Sequence, residues 1–282
     1  MKKSIAVLIT CHNRKEKTLQ CLTALHQCTV PAGYEFEVFL VDDGSTDGTG
    51  IAVKEQFPLV NIIQGNGNLY WNRGMRLAWE TAAKSKEFDF YLWLNDDTLL
   101  VQNALIELIE CYNVSFSVNK SHSIIVGSCK ESTEVNKFSY GGRNDRGTIL
   151  PNGKLQKCTF INGNVVLINK EIFKALGNLS NDYTHAMGDF DYGLRAKQKG
   201  IDCYISKSYI AVCPLNEGSP NWCNPKIPLL KRLKALHTPN GLNINEYIIF
   251  RKKFWKWKWI IFALKAYLKS IFPSLYSKFK LN

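Results

Sequence analysis

Short apolar runs alternate with segments of helical spacing through the first hundred residues. Ile5–Thr10, Phe36–Val41, Val60–Ile63 and Phe88–Leu94 predict strands. Between them Glu16–Gln27, Gly48–Gln56 and Trp71–Ser85 predict helices, with Leu19, Leu22 and Leu25 recurring at helical intervals. Strand, helix, strand in that rhythm predicts an α/β domain on a mostly parallel sheet with right-handed crossovers. Ligands of such sheets bind at the carboxyl ends of the strands, and the polar residues here fall at those ends. A helix over Gln102–Tyr112, a strand near Ile124–Gly127 and a polar loop or hairpin over Lys130–Lys157 follow. Strand Val165–Ile168, helices Lys170–Leu176 and Asp189–Lys199, and strand Asp202–Ser206 complete the pattern. From about Pro225 the character changes to a basic, aromatic, helical tail. The expected division is therefore a catalytic domain over 1–224 and a tail over 225–282.

Charge sharpens that division. The chain of 282 residues carries a formal charge of +12. Thirteen Lys or Arg and one acid, Glu246, lie from residue 226 onward, leaving 23 basic and 23 acidic residues before it. The whole excess thus sits in the tail, which points to an anionic surface met there. Hydrophobic content of 45% and 12% aromatics exclude a disordered chain. Nine scattered cysteines without a Cys-x-x-Cys pair read as reduced thiols in a cytoplasmic protein. The run Ser4–Thr10 after Met1-Lys2-Lys3 resembles a leader, but His12, Asn13 and Arg14 break it, so a buried strand is expected. No stretch approaches the roughly 18 apolar residues of a membrane span.

Three acidic clusters stand at strand ends or helix starts. Asp42-Asp43-Gly44-Ser45-Thr46-Asp47 leaves the second predicted strand; it reads either as a turn capping the next helix or as acceptors for a nucleobase or ribose. Asn95-Asp96-Asp97 follows the apolar run Phe90–Leu94. Adjacent carboxylates there repel unless a donor or a hard divalent ion neutralises them, though acids at a helix start give the same pattern. Gly188-Asp189-Phe190-Asp191 opens a helix, where a carboxylate can take a proton from a hydroxyl. No G-x-G-x-x-G follows the first strand and no P-loop is present, which excludes common dinucleotide and nucleotide-triphosphate sites. The segment Thr10–Arg14 also lacks the glycine-rich basic loop of sugar nucleotidyltransferases.

In their order and spacing these motifs resemble the family 2 glycosyltransferases, of GT-A nucleotide-sugar-binding fold, from Ile5 to about Cys213. Thr10-Cys11-His12-Asn13-Arg14 is similar to the family's segment around the base, and Asp42 and Asp43 to its base and ribose contacts. Gly65-Asn66-Gly67-Asn68-Leu69-Tyr70-Trp71-Asn72-Arg73-Gly74 looks like the donor-pocket stretch of rhamnosyltransferase-like members. The resemblance thus implies a nucleotide-sugar site of Thr10, His12, Asn13, Arg14, Asp42, Asp43, Gly65, Asn66, Asn68, Trp71, Arg73, Gly74, Asn95 and Asp96. Asn95-Asp96-Asp97 stands in the place of the family's Asp-x-Asp, making Asp97 the ligand of Mn²⁺ or Mg²⁺. Asn95 replaces the first acid of that motif. Asp189 matches the general base of Glu-Asp-x-Asp, with Asp191 and Trp222 expected on the acceptor and donor side. Many members carry a His after the last core strand; here that region reads Ala211-Val212-Cys213-Pro214.

The implied activity is an inverting, metal-dependent transfer from a nucleoside-diphosphate sugar, dTDP-rhamnose or a UDP-sugar, to a hydroxyl of a glycan acceptor. A lipid-linked acceptor and surface-polysaccharide synthesis fit the tail. Arg251-Lys252-Lys253-Phe254-Trp255-Lys256-Trp257-Lys258-Trp259-Ile260-Ile261-Phe262 interleaves cations and large aromatics as a lipid interface requires. Packing of those rings on the catalytic domain is the competing reading, and nucleic acid is not the expected partner. The expected location is the inner face of the cytoplasmic membrane, held peripherally.

Overall fold

The computed structural model describes residues 2–215 and 218–275. By its contacts the chain divides into two compact units: 1–180 with 189–215, and 181–188 with 216–282. The sequence placed a boundary at 224/225. In the structure the second unit starts nine residues earlier and includes an internal segment that no change of composition marks.

The first unit is built on one mixed sheet. In chain order its elements are β1 (Lys3–Cys11), α1 (Lys15–His26), β2 (Tyr34–Asp42), α2 (Thr49–Gln56), β3 (Asn61–Gln64), α3 (Tyr70–Ser85), β4 (Phe90–Leu94), β5 (Leu99–Leu100) and α4 (Ala104–Asn119). Then come β6 (Ile124–Lys130), a small hairpin of β7 (Arg143–Asn144) and β8 (Gly147–Thr148), β9 (Gln156–Cys158), β10 (Val165–Asn169), α5 (Lys170–Leu176), α6 (Gly188–Gln198) and β11 (Cys203–Val212). The main sheet runs β3-β2-β1-β4-β10-β6-β11-β5, with β9 on β11. Strands β1, β2, β3, β4, β6 and β11 point one way; β10 runs antiparallel between β4 and β6, and β5 and β9 oppose β11. Periodicity alone does not distinguish a reversed central strand, because β10 is buried on both faces like its parallel neighbours.

Alternation along each strand sends side chains to two cores. Ile5, Val7 and Ile9 face a layer made with Leu22, Leu25, Leu105 and Leu108, from α1 and α4. Ala6 and Leu8 face Met75, Trp79, Trp93, Ile172 and Tyr192, from α3, β4, α5 and α6. Helix α3 forms because Met75, Ala78, Trp79 and Ala82 recur on one stripe, all fully buried. Helix α5 is bracketed by Asn169, whose side chain accepts from Glu171 N at 2.9 Å, and by Gly177 at φ +70°.

Two elements outrun their sequence-based bounds. Helix α4 continues to Asn119 and stops at Lys120, which adopts the left-handed conformation at φ +54°. Strand β11 continues past Ser206 to Val212 through a register shift between Ile205 and Tyr209. Ser206 Oγ donates to Ser208 O at 2.7 Å and accepts Ser128 N at 2.9 Å, so polar residues sit where the strand kinks. Their polarity disguised the continuation.

The second unit contains a 3₁₀ turn (Asn221–Cys223), α7 (Leu229–Leu236), α8 (Ile244–Trp255), a second 3₁₀ turn (Lys256–Lys258) and α9 (Trp259–Ile271). Leu236, Ile244 and Ala266 form its core, with Trp222, Tyr247 and Tyr267 packed on them. Buried Arg232 donates to Ser270 O at 2.7 Å and to Ile271 O at 3.2 Å, satisfying carbonyls at the end of α9. Segment 181–188 joins this unit through Glu246, whose carboxylate accepts from Thr184 N at 2.9 Å and Thr184 Oγ1 at 2.6 Å. Tyr183 stacks edge-on against Phe250. No helix of the described residues is long and apolar enough to cross a membrane.

Candidate active site

The carboxyl ends of β1, β2 and β4 converge on one polar region. After β1, the loop to α1 is stitched to the loop after β2. Asn13, left-handed at φ +51°, accepts Thr46 N at 2.7 Å and donates its own N–H to Ser45 Oγ at 3.0 Å. His12 Nδ1 lies 2.6 Å from Asp43 O. A carbonyl only accepts, so Nδ1 carries the proton and Nε2 accepts from Asn13 Nδ2 at 3.2 Å. Thr10 is buried beneath this loop, and Gly74 of α3 packs on it so closely that a Cβ there would collide with Thr10 Oγ1.

Asp42 and Asp43 have separate tasks. Asp42 Oδ1 accepts Ser45 N at 2.9 Å, an Asx-type turn. Beside it a hollow of about 550 Å³ opens, bordered by Asp42, Thr46, Ile51, Lys54 and Gln64. Asp43 is committed to backbone: Oδ1 accepts Gly67 N at 2.8 Å, while Oδ2 accepts Leu69 N at 2.8 Å and Tyr70 N at 3.0 Å. It therefore caps α3 from a distant strand and fixes the 65–70 turn. A Cβ on Gly65 would stand 2.7 Å from Asp43 Oδ1, which explains glycine at that close approach. Asn66 and Asn68 are exposed and bonded to each other, Asn68 N to Asn66 Oδ1 at 3.0 Å. Arg73 is also exposed.

At the end of β4 the carboxylates meet a cation from the chain itself. Arg14 Nη1 donates to Asp96 Oδ1 and to Asp97 Oδ2, each at 2.9 Å. Asp96 is almost wholly buried, and its Oδ2 has no hydrogen-bond partner. Burial pushes this carboxyl up to about 6; Arg14 opposes the rise and Asp97 adds to it. Asn95 points the other way, its Oδ1 accepting the indole N–H of Trp71 at 2.6 Å.

Trp71 also lies over Gly163, where any Cβ would overlap its six-membered ring. Gly163 N in turn donates to Asp189 Oδ2 at 3.1 Å, and Phe190 N donates to Asp189 Oδ1 at 2.8 Å. Half-buried Asp189 is raised to about 6 by desolvation, against the pull of those two amides. Asn95, Trp71, Gly163 and Asp189 thus form one contiguous chain of contacts.

The two residues expected on the acceptor and donor side have partners of their own. Asp191 is fully buried and bonded to Arg195 Nε at 2.6 Å, while Arg195 also reaches Leu176 O and Asn178 O. Facing inward on α6, it ties that helix to the end of α5 instead of facing an acceptor. Trp222 belongs to the second unit, with Lys269 Nζ 5.3 Å from its ring centroid.

Three residues at the site escaped the sequence reading: Gly163, Asn164 and Cys213. Asn164 accepts Asn95 N through its carbonyl at 3.0 Å and donates Nδ2 to Thr98 Oγ1 at 3.1 Å and Cys213 Sγ at 3.1 Å. Cys213 Sγ stands 3.7 Å from Asp97 Oδ1, just after the last core strand. The Asn162-Gly163-Asn164 turn before β10 was the available signal.

A parallel-stranded nucleotide-binding half carrying paired acids at the end of β4 defines the GT-A class of glycosyltransferases. The family model for glycosyl transferase family 2 matches residues 6–177, over half of the chain, which therefore belongs to that family. No curated protein matches. Among solved structures, a mannosyltransferase from Pyrobaculum calidifontis in complex with GDP-Man and Mn²⁺ is 15% identical, with a TM-score of 0.57 over 98% of this chain and 76% of that one. S. aureus TarS 1–349 in complex with UDP-GlcNAc is 17% identical, with a TM-score of 0.55 over 96% and 82% of the two chains. At such identities the likeness concerns the fold.

Proposed function

We propose that the chain transfers a sugar, with inversion, from a nucleoside-diphosphate donor to a hydroxyl of a glycan acceptor. The carrying observation is Asp189: a half-buried carboxylate held by two backbone amides and joined through Gly163 and Trp71 to Asn95. In the proposed step its free lone pairs take the proton of the acceptor hydroxyl, whose oxygen attacks the anomeric carbon opposite the diphosphate. The C–O bond to the diphosphate breaks, and one displacement inverts the centre.

The base and ribose are assigned to the hollow beside Asp42; Thr46 borders it, and Asn13 holds the Thr46 N–H. Trp71 and the 65–74 segment, shaped by Asp43, form the sugar side. A divalent cation fits Asp96 and Asp97, because the orphaned Asp96 Oδ2 lacks a partner. Among the described residues no group of three or more His, Cys, Asp or Glu is placed to hold a metal. Mn²⁺ or Mg²⁺ would thus take its other ligands from diphosphate and water, as hard ions do, and would stabilise the leaving charge. Similar structures hold GDP-Man with Mn²⁺ and UDP-GlcNAc, which supports a donor of this chemistry. The donor proposed is dTDP-rhamnose or a UDP-sugar, the acceptor a lipid-linked glycan of a surface polysaccharide, and the place of work an anionic membrane face.

Thermal shift with UDP, dTDP, GDP and CMP, each with and without Mn²⁺, tests the site. One diphosphate should stabilise only with metal, and Asp97→Ala should abolish that shift. A ligand at about a hundred times its Kd gives roughly 2.7 kcal/mol. Silence across the panel would refute the donor site.

A further inference from the structure

The cation–aromatic run that suggested lipid contact is largely used to fold the second unit. The Arg251 guanidinium lies 4.0 Å from the Phe262 ring centroid, 4.5 Å from Trp255 and 4.8 Å from Tyr247. Phe250, Phe254 and Trp255 pack edge-on against one another beside it. Lys252 covers Trp259 at 4.5 Å. The exposed apolar side chains of that run, Trp257, Ile260 and Ile261, lead into a stripe along α9. On α9, Ile260, Ile261, Leu264 and Leu268 are 49%, 44%, 58% and 51% exposed, and at 3.6 residues per turn they share about 100° of arc. Trp257, at 65%, is exposed just before the helix, and Phe272 and Leu275 are exposed just beyond it. The opposite side of α9, Ala263, Ala266 and Ser270, is buried.

Charge decides what covers this stripe. Exposed Lys256 and Lys258 stand at its start, and Lys265 and Lys269 follow along one flank. The only acid of the tail, Glu246, is occupied by Thr184. Two copies of so basic a face repel each other, whereas an apolar interior rimmed by negative charge complements it. Helix α9 has 13 residues, about 20 Å, well short of a bilayer core of about 30 Å.

We propose that the Trp257–Ile260–Ile261–Leu264–Leu268 face docks the protein on an anionic bilayer, with α9 lying in the interface plane. The proposal rests on the membrane reading above and moves its surface from the Arg251-centred ring cluster to the exposed stripe of α9. Flotation of the full chain with phosphatidylglycerol vesicles should show binding that phosphatidylcholine vesicles and 0.5 M salt suppress. Leu264→Glu with Leu268→Glu should lower the partition coefficient about tenfold or more, with nucleotide thermal shifts unchanged. Should that variant misfold, quenching by brominated lipid replaces it: wild-type emission should be quenched, and Trp257→Phe should remove most of the effect. Binding by the wild type that neither substitution alters would overturn the α9 face and leave the membrane reading standing. A folded wild type that binds no vesicle would overturn both. A dimer that the double variant converts to monomer would assign the face to a second copy.

Discussion

Arg14 and Asp96 form an ion pair at 2.9 Å, and the same guanidinium nitrogen reaches Asp97 at an equal distance. One side chain thus neutralises both of the carboxylates proposed to hold a divalent ion. Removing it leaves Asp96 buried without its counter-charge. Arg14→Gln is expected to lower stability by about 1–3 kcal/mol. Mn²⁺ should raise the Tm of this variant more than that of the wild type. An equal response in both would separate Arg14 from the cation site.

Asp43 carries three backbone amides on one carboxylate. Asp43→Ala orphans them together and unpins the start of α3. We expect a loss of about 2–4 kcal/mol in urea unfolding and weaker nucleotide binding. A fully stable variant would show that the 65–70 turn holds without it.

Gly163 permits the Trp71 ring to lie against backbone. Gly163→Ala must displace that ring, break the Trp71–Asn95 bond and disturb the amide on Asp189. Transfer should fall at least tenfold, with a shift in tryptophan emission. Trp71→Phe keeps the ring and loses only the 2.6 Å bond, so its effect should be smaller. The reverse ranking would refute the packing argument.

In its proposed role Asp189, raised to about 6, must be ionised to accept a proton. The rate at limiting acceptor should therefore climb with unit slope below about pH 6 and level off above it. Asp189→Asn should lose this limb and the activity while retaining donor binding. Stability has the opposite trend. The folded state holds the Asp189 proton more tightly than the unfolded chain does, so wild type loses stability relative to Asp189→Asn as pH rises from about 4 through 6. Equilibrium unfolding of both proteins at pH 4, 5, 6 and 7 measures that difference, and a flat difference would place the titration elsewhere.

The first half of the fold was legible because β1 to β4 and their helices have uninterrupted periodicity and short, polar turns. The antiparallel β10 was hidden by its complete burial, and the end of β11 by Lys207 and Ser208 at a kink. At the site, the carboxylate clusters announced themselves through motif spacing. Asp43 and Asp191 show what spacing conceals: whether a carboxylate faces a ligand or its own backbone depends on partners far away in sequence, such as Leu69 or the carbonyls that share Arg195. Gly163 is announced only by the Asn162-Gly163-Asn164 turn, and the place of Cys213 becomes visible only through what it touches.

The bond between Glu246 and Thr184 has a bearing on how this protein can be divided. Residues 181–188 are folded by the tail, yet the peptide that leaves them is the one that delivers Asp189. The tail is thus not an accessory that can be cut away at a linker. Truncation at residue 224 would leave residues 181–188, which lead into Asp189, without their packing partner, and exchange of the tail would require a graft at two places in the chain. Substitutions in the two segments are therefore expected to be inherited as a pair.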